Sequence, residues 1–102
     1  MASGRLGIAN LAAAANTTVY TAPSVATINI SVCNRNAVAV KVQLAIASAA
    51  GAPTTAEYVE YDVTIPASGI LERTGLVMSA GMHIVAYSDT ANVSVVIVGF
   101  EE

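Results

Sequence analysis

Long stretches of this chain alternate apolar and polar or small residues with a period of two. The clearest run spans residues 38–46, where five apolar side chains are separated by Ala39, Lys41, Gln43 and Ala45. Successive side chains of a β-strand point to opposite faces, so the pattern predicts strands with one buried face. Most of the apolar members are β-branched, which favours a strand over a helix. The period therefore predicts a fold built from sheets.

Turn-forming residues interrupt the alternating runs at short intervals. Asn34-Arg35-Asn36 predicts a tight hairpin turn, because Asn tolerates the left-handed backbone, and Pro66-Ala67-Ser68-Gly69 predicts a second turn. No intervening segment is long enough for a crossover helix, which excludes a parallel sheet. We therefore expect an all-β fold, a single antiparallel β-sandwich (jelly-roll or Ig-like) of about seven to eight strands. The predicted strands lie near residues 17–21, 26–33, 37–47, 57–65, 70–74, 82–88 and 93–100.

The predicted domains are an N-terminal arm over residues 1–16 and the β-sandwich over residues 17–102. Residues 6–15 of the arm are Ala-rich and weakly hydrophobic, which favours an arm over a cleaved signal peptide. The arm is expected to form a short strand from Leu6 to Asn10 or to extend as a tail onto a neighbouring molecule.

The last predicted strand differs from the others because residues 93 and 95–98 are all apolar. A strand covered on one side alternates, so we expect this one to be buried on both faces. The second face would then be covered by the N-terminal arm or by another subunit. A locally thick core is an equally good explanation.

Charged residues make up 11% of the chain, and its net charge is −3, whereas an ordinary domain has about 25% charged residues. This composition excludes a disordered chain and leaves too few basic residues for nucleic-acid binding. One Cys excludes a disulfide framework, and no apolar run is long enough for a membrane-spanning helix. A weakly charged surface favours association over a neutral-surfaced monomer. The interface candidates are Leu6, Ile8, Leu11, Val96, Val98 and Phe100.

The chain offers few groups for catalysis. His83 is the single His and lies in a predicted strand, and Cys33 stands at a strand end with no base suggested beside it. Strict alternation places Glu60 and Asp62 on one strand face about 7 Å apart. A carboxylate pair can serve a glycosidase or bind calcium, but a solvated face or ion pairs with Arg73 or Lys41 fits a chain this small better. We expect no catalytic residue, no metal site and no cofactor.

The four tyrosines offer a further hypothesis. Tyr20, Tyr58, Tyr61 and Tyr87 would suit a patch that binds sugar or protein. Alternation places Tyr58 and Tyr61 on opposite faces of their strand, so at least one of them is expected in the core.

Several segments resemble small virion structural proteins of tailed bacteriophages. They are residues 20–23, residues 28–36, the run 65–76 with its Pro/Gly turn, and a closing strand that ends in Gly99-Phe100-Glu101. The resemblance covers roughly residues 5–101. It implies a β-sandwich virion component that assembles into a trimer, ring or larger array, and it implies no catalytic residues.

The expected function is therefore a non-enzymatic structural component of a tailed-phage virion, located in the head, neck, tail or fibre. Its expected partners are further copies of itself and other virion proteins, with no nucleic acid, membrane or small-molecule substrate. Capsid decoration and tail assembly are both compatible with this expectation. The alternative is a receptor- or carbohydrate-binding module at a phage tail or fibre tip.

Overall fold

The computed structural model describes residues 2–102 and consists almost entirely of strands. A single 3-10 turn at Thr55–Glu57 precedes the fifth strand. The strands are β1 Ser3–Leu11, β2 Thr17–Thr21, β3 Ala26–Asn34, β4 Val40–Ala47, β5 Tyr58–Ile65, β6 Ile70–Met78, β7 His83–Ser88 and β8 Val93–Glu101.

The eight strands form two four-stranded antiparallel sheets, which confirms the all-β prediction. Sheet A has the order β1-β8-β3-β6, and sheet B has the order β2-β7-β4-β5. Within residues 2–102, consecutive strands lie side by side in one sheet only at β4–β5. Every other connection passes from one sheet to the other, so the chain crosses the core repeatedly.

The strand pairing is nested around the β4–β5 connection. β4 pairs with β5, β3 with β6, β2 with β7, and β1 with β8, each pair antiparallel. β8 also pairs with β3, and β7 also pairs with β4. The chain is thus a long folded ribbon rolled into two layers, with β8 and β3 central in one and β7 and β4 central in the other.

The core fills the space between the two sheets with one face of each strand. In β3, Ile28, Ile30 and Val32 are buried while the residues between them face outward. Burying an aliphatic side chain of this kind contributes about 1.5–3 kcal/mol. The largest fully buried side chains are Leu11, Ile28, Leu44, Ile65, Met78, Ile84 and Ile97.

The predicted strands are all present, with small shifts at their ends. The largest shift is in β6, which continues past residue 74 to Met78. Residues 3–11 of the predicted arm form β1, which pairs with β8 of the same chain, and Leu11 is buried in the core. Met1, also assigned to the arm, lies outside the described residues.

Asn34 does not form the hairpin turn predicted from its sequence context. The β3–β4 connection passes from sheet A to sheet B, and none of residues 34–36 has a positive φ. The Asn34 side chain is instead fully buried, and its carbonyl oxygen accepts from the backbone N–H of Asn36 at 2.9 Å. A buried amide needs such partners because an unpaired polar group is costly there. The NH₂ group of the Asn34 side chain donates to the backbone carbonyls of Val38, Ile65 and Pro66.

The two sides of the sandwich close in different ways. At the β1–β2 side the backbones approach so closely that a Cβ on Gly7 would lie 2.6 Å from the carbonyl oxygen of Val19. At the β6–β5 side Arg73 and Glu60 form an ion pair across the sheets at 3.2 Å. An ion pair this exposed contributes at most about 1 kcal/mol. The two sheets thus meet through closely packed backbone at one side and through side chains at the other.

All four edge strands carry a β-bulge, whereas the two central pairs do not. The register of β3 with β8 and of β4 with β7 runs without interruption. Each edge strand has one extra residue against its neighbour, and β5 has two. Bulges twist an edge and disrupt its pairing groups, which protects it from adding a further strand. The extra residues are Leu6 in β1, Val19 in β2, Val59 and one of Tyr61 and Asp62 in β5, and one of Thr74 and Gly75 in β6.

Candidate interaction surface

The outer face of sheet A carries most of the exposed large apolar side chains of the described chain. In β8 the buried Val93, Val95 and Ile97 alternate with residues that point away from the core. Their neighbours on β1, β3 and β6 continue the same outward surface through the strand register. We call this surface the A face. Its large apolar members are Ile8, Ile70, Val77, Val96, Val98 and Phe100.

Several of these side chains are strongly exposed. Ile8 is 57% exposed, Phe100 49% and Val77 64%. Phe100 and Val77 flank Thr27, which is paired with both, so the three form one row across the sheet. Exposed apolar residues scattered singly are ordinary, but a continuous surface of them marks a contact site.

The centre of the A face carries no formal charge. Within residues 2–102, charged side chains on this face come from the edge strands, as with Arg5 beside Val98 and Glu72 beside Ser31, and from Arg35 in the β3–β4 connection. Charge is also depleted at the centres of protein interfaces. The outward residues of β8 and β3 are Ser94, Val96, Val98, Phe100, Thr27, Asn29, Ser31 and Cys33.

A shallow groove of about 450 Å³ runs between β1 and β8 on this face. Ile8 and Val96 form its apolar walls, and Asn10 and Ser94 supply polar groups at one end. The Asn10 side-chain oxygen accepts a hydrogen bond from Arg35, which holds that end in place. The groove is open along its length, so it fits an apolar contact better than an enclosed small molecule.

Four of the six predicted interface candidates lie on the A face, namely Ile8, Val96, Val98 and Phe100. Leu11 is buried in the core, and Leu6 packs against the core from the bulge in β1. No local pattern indicates that bulge, and strict alternation places Leu6 on the same face as Ile8 and Asn10. Leu6 and Leu11 therefore stabilise the sandwich and are not offered to a partner.

β8 is buried on its inner face only, so the expectation that both faces are buried is wrong for the isolated chain. Val98 is 39% exposed and Val96 is partly exposed. The N-terminal segment pairs alongside β8 as β1 and does not lie over it. Within residues 2–102, nothing covers the outer side of β8.

The outer face of sheet B, which we call the B face, is covered in part by the chain itself. Ala45, Ala47 and Val85 point away from the core, yet Val85 is only 2% exposed and the two alanines are as deeply buried. The 48–57 segment, which follows β4, covers them. A Cβ on its Gly51 would lie 4.0 Å from the hydroxyl of Thr18, which is on β2 beyond β7.

Glu57 fastens this covering segment. Its carboxylate accepts hydrogen bonds from the backbone N–H and hydroxyl of Ser48 at 3.0 and 2.8 Å and from the backbone N–H of Thr54 at 2.8 Å. These hydrogen bonds, that from Thr54 first, hold the pKa of Glu57 below its ordinary value. The carboxylate thus ties both ends of the segment together.

The carboxylates predicted to share a strand face do not do so. Glu60 turns toward sheet A and pairs with Arg73, which confirms that ion pair, while Asp62 accepts a hydrogen bond from Gln43 at 2.8 Å. The bulge at residues 61–62 breaks the alternation between them. The pair is therefore not placed for joint action on a substrate or a metal ion.

The bulges in β5 also correct the prediction for the tyrosines. Tyr58 and Tyr61 lie on the same side, with ring centroids 4.9 Å apart in an edge-to-face arrangement. Tyr20 is the core tyrosine, and its hydroxyl donates to the Glu101 carboxylate at 2.6 Å. Burial and the Glu101 carboxylate raise the pKa of Tyr20 well above its ordinary value, so it stays a neutral donor.

The remaining reactive side chains are dispersed. His83 lies at the start of β7, with its Nδ1 2.7 Å from the hydroxyl of Thr21, and Cys33 is partly exposed on the A face. Within residues 2–102, no three His, Cys, Asp or Glu side chains are grouped to hold a metal ion. The same residues include no helix with the length and apolarity to cross a membrane.

Searches of family models, curated proteins and solved structures find no match to this chain. Function therefore has to be inferred from the fold, the charge distribution and the exposed surfaces.

Proposed function

We propose that the chain is a non-enzymatic structural component of a tailed-phage virion and that its copies associate through the A face. The observation that carries the proposal is the apolar, uncharged and uncovered centre of that face. Leaving such a surface wet is unfavourable, at about 25 cal/mol per Å² of apolar area. Further copies and other virion proteins are the partners that would cover it.

The strand order supports a sandwich of the jelly-roll type. Two four-stranded sheets of order β1-β8-β3-β6 and β2-β7-β4-β5, with all pairs nested around β4–β5, make a ribbon rolled on itself. Jelly rolls have eight strands in two sheets and recur in viral capsid and lectin domains. An Ig-like sandwich divides its strands differently between the sheets. Because one fold serves many functions, the fold supports a particle protein without specifying one.

The edge strands favour association through a face. Each edge carries a bulge opposite its neighbour, so none offers a regular row of backbone groups to another chain. The A face, by contrast, is built on the uninterrupted β3–β8 pair. Association through this face would add no strand to either sheet.

The size and charge of the A face suit a second copy of the chain. Four strands about 4.8 Å apart, with nine residues at about 3.3 Å each, span roughly 570 Å², so two copies would bury roughly 1,100 Å² in total. This exceeds the approximately 1,000 Å² expected of a specific interface. Because its centre carries no charge, pairing two copies desolvates no ion on β3 and β8, and Arg5 and Glu72 lie at the rim of the contact. A trimer, ring or array would instead divide the A face of each copy between neighbouring copies.

The oligomeric state in solution tests self-association directly. Sedimentation velocity and light scattering at about micromolar concentration, where interfaces of this size associate, should show a defined oligomer. Amide hydrogen exchange along β1 and β8 should be slower in the oligomer than in the monomer. This protection should decrease when the protein is diluted. A monomer at every concentration, with no such protection, would contradict self-association.

Location in a particle is a separate test. Antibodies raised against the purified chain should decorate tailed particles from the source organism at a fixed position, as seen by negative-stain electron microscopy with gold labels. Labelling confined to cell debris, with no particle marked, would contradict the virion assignment.

A further inference from the structure

We propose that the B face holds a saccharide site formed by Tyr58, Tyr61 and Tyr87, with Gln43 and Asp62 as its polar groups. The site is on the opposite side of the molecule from the A face and does not depend on self-association. Its ligand class is a neutral oligosaccharide built of pyranose rings.

The register of sheet B places these side chains together. Gln43 on β4 is paired with Tyr87 on β7, and the bulge at Tyr61 and Asp62 lies on the other side of Gln43. All of them point away from the core, because Leu44 and Ala86 beside them belong to it. The row therefore runs from a tyrosine, across an amide, to a second tyrosine.

A local irregularity of β5 creates the aromatic pair. In a regular strand Tyr58 and Tyr61, three residues apart, would face opposite ways. The bulges bring the rings to 4.9 Å and leave Tyr61 62% exposed. Asp62 has a φ of 52°, in the left-handed region that residues other than Gly adopt only occasionally. Bulges of this kind re-aim side chains next to functional sites.

The polar groups are already oriented. The Gln43 amide donates to Asp62 at 2.8 Å, which fixes both side chains and leaves a second amide hydrogen and free carboxylate and carbonyl lone pairs. Pyranose rings present C–H faces that pack on aromatic rings and hydroxyls that pair with amides and carboxylates. Tyrosine supplies both an apolar face and a hydroxyl.

The charges near the site select among ligand classes. Lys41 is the single Lys or Arg in the strands of sheet B, so these strands carry no cationic cluster to bind phosphate groups. The 48–57 segment leads directly into Tyr58. An elongated neutral ligand with hydroxyls fits this open surface of aromatic and polar side chains.

Binding of the full chain to a microarray of bacterial surface oligosaccharides, with maltohexaose and cellohexaose as soluble probes, tests the proposal. We expect binding to neutral hexose oligomers, with perturbation of tyrosine ring signals in NMR spectra. Tyr61→Ala should weaken binding about tenfold, the loss expected of one aromatic contact. Tyr61→Phe keeps the ring and should retain most of the affinity.

Matched controls separate this site from the A face. Phe100→Ala, an aromatic truncation on the opposite face, should leave saccharide affinity unchanged, and Tyr61→Ala should leave the oligomeric state unchanged. The proposal is overturned if no neutral oligosaccharide binds, or if binding survives Tyr61→Ala. It is also overturned if Tyr61→Ala changes the oligomeric state, since the B face would then be a contact between copies. Failure here leaves self-association through the A face standing.

Discussion

The two outer faces of the sandwich are built on similar strands but are covered differently. On the B face, Ala45, Ala47 and Val85 are almost completely buried under the chain's own 48–57 segment. On the A face, Val98 and Phe100 remain exposed, and no segment of residues 2–102 crosses them. Both faces present apolar side chains on central strands. The difference shows that apolar residues on an outer face can be covered within the chain. Where they are not covered, as on the A face, we propose that a partner covers them.

The largest expected difference between the two faces is the effect of an added charge on the association constant. In Val96→Lys the new ammonium lies at the centre of the A face and must be desolvated when copies associate. We expect a loss of about 3 kcal/mol or more, equivalent to more than about 100-fold in the association constant. Analytical ultracentrifugation measures this loss as a shift to monomer.

Gln43→Lys is the matched control, because Gln43 is also a partly exposed, outward residue of a central strand. It should leave the association constant unchanged. If Gln43→Lys dissociates the oligomer and Val96→Lys does not, the assignment of the two faces is reversed.

Replacing one valine on each face by alanine compares how much the two faces contribute to the free energy of unfolding. Val85→Ala removes two methyl groups from beneath the 48–57 segment and should lower the free energy of unfolding by about 2 kcal/mol. Val77→Ala makes the same change at an exposed A-face position and should stay within about 0.5 kcal/mol. Both substitutions are made in the Val96→Lys variant, which is expected to be monomeric, and the free energy of unfolding is measured in urea. In this background association does not contribute to the measured stability. Equal losses would show that the A face is covered in the monomer as well.

The smallest expected effect is the pH dependence of the hydrogen bonds by which Glu57 holds the 48–57 segment. Because folding lowers the pKa of this carboxyl, its contribution is fully present above the ordinary glutamate pKa. This contribution to stability is lost as the pH falls through the lowered pKa that Glu57 has in the folded state. Amide exchange protection at Ser48 and Thr54, measured by NMR, should therefore decline over that acidic range. In Glu57→Gln the decline should be absent, and an identical decline in that variant would remove Glu57 as its cause.

Much of the fold was predictable from the sequence because alternation reports burial directly. The runs in β3, β4 and β8 placed strands correctly to within a few residues, and their inward members form the core. What alternation does not report is the pairing partner. Asn34 was expected in a hairpin, but its strand is followed by a change of sheet, and its buried amide donates to the β3–β4 connection and to the start of the β5–β6 connection. Such partners are distant in sequence, so local pattern carries no information on them.

The candidate surfaces were predictable where the strands are regular. Ile8, Val96, Val98 and Phe100 lie where strict alternation places them. Leu6, Tyr61 and Asp62 do not, because each lies at a bulge, and one inserted residue reverses the facing of all that follow. A bulge is set by sheet-level packing and not by a distinctive local sequence.

The nested pairing has a consequence for how the protein is made. β8 is central in sheet A, where it joins β1 to β3, yet it follows every other strand of the two sheets along the chain. The first strand must therefore wait on the ribosome for a partner more than eighty residues away, while the β4–β5 hairpin forms locally. Long-range pairings of this kind form slowly. Sheet A is thus completed only after β8 has been synthesised, and its unpaired apolar strands are exposed to chaperones until then.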